Sequence, residues 1–170
     1  IKQMQISSSS YKSSKTEDGG AGLCCFYTKL LGIMTVSFIS NTYLTGLRFQ
    51  GGSTACLEVM LLEIINCTYI SNKANQIGGA INARKTKQIK IIKSIYVLNY
   101  GLAEGGALYS DGFYSLFCAN CTFIKNNISA VFIYSGKHSK MLMINCSFKN
   151  NNGKFEAALN AKLHSQPTQH

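Results

Sequence analysis

A group of closely spaced lysines is the first indication of ligand chemistry in this sequence. Lys85, Lys87, Lys90 and Lys93 lie close together along the chain, which carries 17 basic against 7 acidic residues, for a net charge of +10. A surface of this charge favours anionic partners: an acidic polysaccharide or cell-surface glycan, phospholipid head groups or nucleic acid. All but two of the basic residues are lysine, and the sequence shows no recognition helix or zinc finger, so specific nucleic-acid recognition is not expected. A solvated, solubilising face is the alternative.

The seven cysteines are the second set of reactive side chains. Their number is odd, and Cys118-Ala-Asn-Cys121 has a Cys-x-x-Cys spacing without the second pair that a zinc site would need. Alternation along one strand would place Cys121 inside and Cys118 on the opposite face. We expect buried free thiols, which behave as small apolar groups, and predict no metal site. One or more disulfides, or metal or redox chemistry, are the alternatives.

Catalytic chemistry has little support in the sequence. Acid–base cleavage of a glycosidic bond needs paired carboxylates, and calcium-assisted cleavage needs clustered acids. Glu17, Asp18 and Glu104 come before Gly-rich segments, but the repeat described below does not bring them into one column. We predict no catalytic residue and no cofactor. The histidines are expected to be solvated; they are His138, His164 and His170.

A repeat must position all of these residues. Six times an aromatic residue is followed three positions later by Asn or Ser, and these Asn and Ser positions recur at nearly constant intervals along the chain. The pairs are Tyr11/Ser14, Phe38/Asn41, Tyr69/Asn72, Tyr96/Asn99, Phe123/Asn126 and Phe148/Asn151. Gly-rich segments recur between them, starting at Gly20, Gly51, Gly78 and Gly105, and in degraded form at Ala130 and Glu156. A period of this length indicates stacked repeats.

Each repeat has the pattern of strands and lacks a helical period. The segment from Ile65 to Tyr69 alternates apolar and polar residues, which predicts a single strand with Ile65, Cys67 and Tyr69 facing inward. The sequence therefore predicts an all-β protein, a right-handed parallel β-helix of about six coils with roughly 25–31 residues per coil. This domain is expected to cover residues 1–161, followed by a polar tail at 162–170.

Stacked coils predict ladders of like residues along the helix axis. The asparagines should close their strands in the left-handed conformation and hydrogen-bond to one another along the axis. The ladder residues are Phe38, Tyr69, Tyr96, Phe123 and Phe148, with Asn41, Asn72, Asn99, Asn126 and Asn151. A second interior column should hold Val36, Cys67, Ser94, Cys121 and Cys146.

Three segments depart from the regular repeat or allow another interpretation. The longest interval, from Asn41 to Asn72, places about four extra residues within Thr42–Gln50, and 135–140 is expected to form an exposed turn. Ala21–Ile39 fits the repeat as a coil; a membrane span with Lys29 near its centre is the alternative. Because the sequence starts in the middle of the pattern, we expect further β-helix coils at both ends.

The pairing of Gly-Gly-Ala-[Ile/Leu] with Phe-x-x-Asn resembles the polymorphic outer membrane protein repeat of chlamydial autotransporters and of some protist surface proteins. The match is sharpest at Gly78–Ile81, Gly105–Leu108 and Phe123–Asn126, whereas Tyr replaces Phe at positions 69 and 96. The resemblance implies a β-helix at the cell surface or outside the cell, with a role in adhesion. The predicted fold is also similar to that of the pectin-lyase-like superfamily, whose members cleave acidic polysaccharides.

These observations lead to two functional expectations. The first is a non-enzymatic cell-surface or secreted β-helix repeat protein that serves as an adhesive, glycan-binding surface or as a rigid spacer. The alternative is a fragment of a carbohydrate-active β-helix, similar to polysaccharide lyases or hydrolases, whose catalytic coils lie outside this chain.

Overall fold

The computed structural model describes residues 3–16, 19–44, 50–135, 139–152 and 159–163. These residues form short parallel strands and no helix. Numbered in chain order, the strands are β1 Gln3–Ser7, β2 Ser10–Lys12, β3 Lys15–Thr16, β4 Gly19–Gly20, β5 Leu23–Phe26, β6 Leu30–Met34, β7 Ser37–Ile39, β8 Thr42–Tyr43, β9 Gln50–Gly51, β10 Thr54–Leu57, β11 Leu61–Ile65, β12 Thr68–Ile70, β13 Lys73–Ala74, β14 Ile81–Arg84, β15 Gln88–Ile92, β16 Ile95–Val97, β17 Tyr100–Gly101, β18 Leu108–Asp111, β19 Ser115–Ala119, β20 Thr122–Ile124, β21 Val131–Ser135, β22 Lys140–Ile144, β23 Ser147–Lys149 and β24 Leu159–Leu163.

Three six-stranded parallel sheets form the walls of the molecule. Sheet 1 contains β1-β6-β11-β15-β19-β22, sheet 2 contains β2-β7-β12-β16-β20-β23, and sheet 3 contains β5-β10-β14-β18-β21-β24. A four-stranded sheet, β3-β8-β13-β17, and the pair β4-β9 lie between sheets 2 and 3 along the chain. The chain passes through these sheets in turn and returns to sheet 1 one coil further on. The result is a β-solenoid of about five complete turns, which confirms the predicted parallel β-helix.

Strand register reproduces the spacing of the sequence repeat. Along sheet 1, Gln3 pairs with Leu30, Leu30 with Leu61, Leu61 with Gln88, Gln88 with Ser115 and Ser115 with Lys140. Each step has the same length as the interval between the ladder Asn or Ser positions of the same two coils. The repeat read from the sequence is therefore the register of the sheets.

The extra residues of the long coil lie between Tyr43 and Gln50. Three positions separate Thr16 from Gly19 along the chain, but seven separate their register partners Tyr43 and Gln50. The insertion thus falls within the predicted segment, although residues 45–49 themselves lie outside the described residues. The predicted turn at 135–140 is described only at its ends, where β21 stops and β22 begins.

A corner between sheets 1 and 2 corrects the prediction of one continuous strand from 65 to 69. The corner residue of each coil has a positive φ of 50–55°; these residues are Ser8, Thr35, Asn66, Lys93, Asn120 and Asn145. Because this corner interrupts the alternation of side chains, Ile64 is fully buried whereas Ile65 lies on the outward side and is half-buried. Cys67 and Tyr69, which follow the corner, do point inward as predicted.

A second corner precedes each ladder asparagine. The left-handed residue there is Ser40, Ser71, Leu98, Lys125 or Asn150, with φ between 51° and 55°. The prediction that the ladder asparagines themselves adopt this conformation is therefore wrong. The residue before each ladder position turns the chain, and this turn directs the asparagine side chain into the interior.

Two stacked ladders fill the space behind sheet 2. Consecutive aromatic rings from Tyr11 to Phe148 stack with centroids 4.7–5.1 Å apart and planes within 12° of parallel. Beside them, each asparagine amide from Asn41 to Asn126 donates to the side-chain oxygen of the next asparagine at 3.0–3.1 Å. Asn41, Asn72, Asn99 and Asn126 are completely buried. The amides can be buried because the ladder gives their polar atoms hydrogen-bond partners.

The segment Ala21–Ile39 contains β5, β6 and β7, so its interpretation as a coil is confirmed. Among the described residues there is no helix that could cross a membrane. At the other end, β24 extends to Leu163 and thus two residues into the predicted polar tail. Several predicted solvated or acidic residues lie outside the described residues; they are Glu17, Asp18, His138, His164 and His170.

The predicted alignment of the Gly-rich segments between coils is wrong at one place near the C-terminal end. Leu108 pairs with Val131, so the residue equivalent to Gly105 is Ile128 and not Ala130 as the sequence pattern suggests. Ile128 has φ 70°, close to the 62° of Gly78 and Gly105. A Cβ added at Gly105 would lie 2.5 Å from the carbonyl oxygen of Leu108, which explains why glycine occupies this column in the earlier coils.

We therefore expect Ile128→Gly to raise the free energy of unfolding by about 1 kcal/mol. A β-branched residue in the left-handed region is strained by about 1–2 kcal/mol, and glycine removes this strain. Urea unfolding of the two proteins measures the difference. Ile128→Ala is the control, because it removes the same half-buried side chain but keeps a Cβ at positive φ. A glycine variant no more stable than the alanine variant would contradict the assignment of strain.

Candidate binding surface

The four predicted lysines form a row across a single coil, which we call the lysine row. Lys90 lies on the outward side of β15, and Lys87 immediately precedes that strand. Lys85 and Lys93 occupy left-handed corners at the two ends of sheet 1, with φ values of 49° and 50°. The corners project these two side chains from the edges of the sheet, so the row spans the width of its outer face.

Two members of the lysine row are ion-paired to acids of the preceding coil. Lys85 Nζ lies 3.3 Å from Glu58 Oε1, and Lys90 Nζ lies 2.9 Å from Glu63 Oε1. The side chains of Lys85 and Lys90 are 67% and 42% exposed, and exposed pairs of this kind contribute only about 0.2–1 kcal/mol. Both lysines can therefore exchange their carboxylate for that of a ligand at little energetic cost.

Lys87 is held against an aromatic ring of the following coil. Its Nζ lies 4.6 Å from the ring centroid of Tyr114 and donates to the tyrosine hydroxyl at 3.3 Å. The side chain of Tyr114 is 62% exposed, so the ammonium group and the phenol hydroxyl form two adjacent donors at the surface. Such a pair matches the two oxygens of a carboxylate or sulfate group. Exposed Lys140 begins the next strand of sheet 1, and its backbone N–H donates to the carbonyl of Tyr114.

The sequence analysis missed these partners, although a signal for them was present. Glu58 and Lys85, Glu63 and Lys90, and Lys87 and Tyr114 are each 27 residues apart. This is the length of one regular coil, so an alignment of exposed columns at the repeat period finds all three contacts. The lysine row thus belongs to a mixed surface, with Glu58 and Glu63 on the preceding coil and Tyr114 on the following coil.

A separate polar cluster lies on the outer face of sheet 3. Asp111 Oδ2 accepts hydrogen bonds from Arg84 Nε at 3.2 Å and from the Tyr109 hydroxyl at 3.5 Å. Its other oxygen accepts the backbone N–H of Lys85 at 3.0 Å. Partial burial, together with the negative charge of Asp111, raises the pKa of Tyr109 to about 12. Asp111 is therefore bound in a local network that fixes the turn before Lys85.

The structure brings three cysteines together in the core. Cys118 and Cys146 have their Sγ atoms 3.6 Å apart, and the three Sγ atoms of Cys118, Cys121 and Cys146 lie within 4.8 Å of one another. The prediction that Cys118 faces away from Cys121 is wrong, because the corner at Asn120 lies between them and resets the alternation. Cys118 thus points inward from sheet 1 and Cys121 inward from sheet 2.

The environment of the other cysteines agrees in part with the prediction of buried free thiols. All seven cysteines are free, and Cys25, Cys56 and Cys67 are buried, but Cys24 is exposed. Burial raises the pKa of the Cys56 thiol well above its ordinary value and raises that of Cys67 as well. These groups therefore remain protonated thiols at neutral pH.

Comparison with protein-family models, with curated proteins and with solved structures found no match to this chain.

Proposed function

We propose that this chain is a non-enzymatic β-helix of the cell surface or extracellular space that binds acidic glycans through the lysine row and Tyr114. The observation that carries the proposal is the contact between Lys87 and Tyr114, which presents an ammonium group and a hydroxyl 3.3 Å apart on an exposed surface. An acidic sugar can place its carboxylate or sulfate on these donors and a ring face near the phenol. The cellular location follows from the resemblance to surface β-helix repeats.

The rigidity of the solenoid supports this function. Lys90 lies in β15, and Lys87 and Tyr114 immediately precede the adjacent strands β15 and β19. The backbone N–H of Tyr114 donates to the carbonyl of Lys87 at 2.8 Å, so the spacing of this backbone is fixed by hydrogen bonds. A fixed row of charges loses little conformational entropy when it binds a chain of repeating anionic units. The net charge of +10 adds a long-range attraction that brings such a polymer to the surface.

A glycan array at low and moderate salt tests the proposal directly. We expect saturable binding to a uronate-containing or sulfated glycan, weaker at higher salt because the contacts are screened. The Lys87→Gln and Tyr114→Ala variants should each lose about tenfold or more in affinity, since hydrogen bonds to charged groups contribute about 1.5–3 kcal/mol.

A second lysine–tyrosine contact provides a matched control. Lys73 Nζ lies 5.5 Å from the ring centroid of Tyr100, outside sheet 1. Lys73→Gln and Tyr100→Ala remove the same groups from the same fold and should leave glycan affinity within about twofold, which is about 0.4 kcal/mol. Equal losses in Lys87→Gln and Lys73→Gln, with no loss in either tyrosine variant, would show binding by net charge alone. No binding at low salt would favour the rigid spacer. Either result overturns the proposed site.

A further inference from the structure

The three clustered cysteines form a site that the proposed glycan surface does not use. Cys118 and Cys121 are 1% exposed, and Cys146 is partly exposed. Their remaining polar neighbours are backbone carbonyls: Cys121 Sγ lies 3.3 Å from the oxygen of Ala119, and Cys146 Sγ lies 3.5 Å from that of Cys118. The cluster is therefore an all-sulfur pocket with one accessible side.

Metal binding would convert the buried thiols of the cluster to thiolates, because a coordinating thiol is deprotonated by the metal. A monovalent cation would offset one of the three thiolate charges, and the partly exposed Cys146 gives the remaining charge access to solvent.

The spacing of the sulfur atoms fits three-coordinate binding. Three thiolates arranged in a plane at about 2.3 Å from a central ion are about 4.0 Å from one another. The Sγ atoms of Cys118 and Cys146 are 3.6 Å apart, and the other pairs, at most 4.8 Å apart, exceed the planar value by no more than about 0.8 Å. Side-chain shifts of less than about 1 Å therefore complete the geometry.

The chemistry of the donors selects the metal. Thiolate and thioether ligands favour soft ions such as Cu(I), whereas a structural zinc site takes four ligands in a tetrahedron. Within the described residues the cluster supplies three thiols. Its nearest additional soft donor by register is Met143, which pairs with Cys118 across β19 and β22 and packs against the core.

We infer that Cys118, Cys121 and Cys146 form a binding site for a soft monovalent metal ion, Cu(I), held by three thiolates at the corner between sheets 1 and 2. Binding exchanges the thiol protons for one metal ion and needs no oxidant. It also joins β19 to the segments immediately before β20 and β23, so the metal should stabilise the C-terminal coils.

The test is a competition between the reduced 170-residue chain and the Cu(I)–bicinchoninate complex without oxygen. We expect the chain to take one Cu(I) from the chelator, to develop an ultraviolet thiolate-to-copper band, and to melt at a higher temperature when loaded. Cys121→Ser and Cys146→Ser should each lose more than about 100-fold in affinity, since even outer-shell partners of metal sites contribute about 10–100-fold. Both variants should fold, because Ser94 occupies the same interior column.

Two matched controls separate this site from the other cysteines. The first control is Cys67→Ser, since Cys67 lies in the same interior column as Cys121. The second control is Cys56→Ser, since the column of Cys56 already contains Ser110. Both controls should retain the copper stoichiometry, the ultraviolet band and the affinity of the parent. Loss of copper binding in the Cys56→Ser variant would place the copper at Cys25 and Cys56 and overturn the inference. A reduced chain that takes up no Cu(I) but forms a disulfide in air would show that these cysteines are a redox-active thiol pair and not a metal site. Preference for Zn²⁺ over Cu(I) would also overturn the inference.

Discussion

Replacing Asn99 with alanine should lower the free energy of unfolding by about 4 kcal/mol. The Asn99 side-chain oxygen accepts both the backbone N–H and the amide N–H of Asn72, at 3.1 and 3.0 Å. Its amide nitrogen donates to the carbonyl of Tyr69 and to the side-chain oxygen of Asn126, each at 3.0 Å. At about 1 kcal/mol for each of four hydrogen bonds, the loss is a large fraction of the stability of a small domain.

The measurement is the urea midpoint of Asn99→Ala compared with that of an exposed asparagine variant. Asn120 lies at a left-handed corner with φ 55° and is exposed, so Asn120→Gly should change stability by less than about 0.5 kcal/mol. Asn99→Asp keeps the acceptors but cannot donate, and it buries a charge, so it should be at least as destabilising as alanine. A loss below about 1 kcal/mol for Asn99→Ala would contradict a continuous ladder.

Columns of like residues explain why the coil could be predicted from sequence. In a parallel in-register stack, each interior position of one coil contacts the same position of the next. Phe38, Tyr69 and Tyr96 therefore occupy the same kind of site in three successive coils. The interval between repeated residues is therefore also the strand register, and the longer interval from Asn41 to Asn72 marks an insertion. Alignment of the copies carries more information than the pattern of any single copy.

The predictions that failed share a physical cause in the corners. A residue at positive φ, such as Asn66 or Asn120, changes which face the following side chains occupy. The alternation of polar and apolar residues continues in the sequence across the corner, so it predicts Ile65 on the inward face and Cys118 on the outward face. Asn66, Asn120 and Asn145 are of a type that favours left-handed geometry, but Ser8, Thr35 and Lys93 occupy the same corner in other coils, so the column carries no uniform signal of a turn.

The candidate binding surface could be predicted only in part for a different reason. The lysine row is visible in the sequence because its four members are close along the chain. The side chains that contact these lysines belong to neighbouring coils and come close to them only when the coils stack. Glu63 and Tyr114 are examples, each one coil away from its lysine. The same holds for the copper site, where Cys146 comes from the coil after Cys118 and Cys121.

Alkaline pH should destabilise the chain through two tyrosines of the aromatic ladder. Burial raises the pKa of Tyr69 and Tyr96 well above the ordinary value of 10.0. Above about pH 10 the unfolded chain releases these protons whereas the folded chain keeps them, so the free energy of unfolding falls as pH rises. Each tyrosine contributes a slope of about 1.4 kcal/mol per pH unit, and the pair should remove about 3 kcal/mol by about pH 11.

The variants Tyr69→Phe and Tyr96→Phe isolate this effect, because phenylalanine already occupies the ladder at Phe38 and Phe123. Each variant should remove about half of the contribution that this pair makes to alkaline destabilisation, and the double variant should remove the whole of that contribution. Tyr109 and buried thiols such as Cys56 also titrate with a raised pKa, but they are common to all four proteins and cancel in the difference.

The two substitutions should differ at neutral pH. The Tyr69 hydroxyl lies 3.4 Å from the hydroxyl of Thr54. In the next coil the residue equivalent to Thr54 is Ile81, which has no polar group. The Tyr96 hydroxyl is therefore buried without a hydrogen-bond partner among the described residues. Tyr96→Phe should therefore raise stability at neutral pH by about 1 kcal/mol, the lower end of the cost of an unsatisfied buried polar group. Tyr69→Phe should instead lower stability by about 1 kcal/mol, because it leaves the buried Thr54 hydroxyl without its hydrogen-bond partner. Urea unfolding at about pH 7, 9 and 11 measures the effect at neutral pH and the effect at alkaline pH. If the stability of the double variant fell with rising pH as steeply as that of the parent, the two phenols would not remain protonated in the folded core.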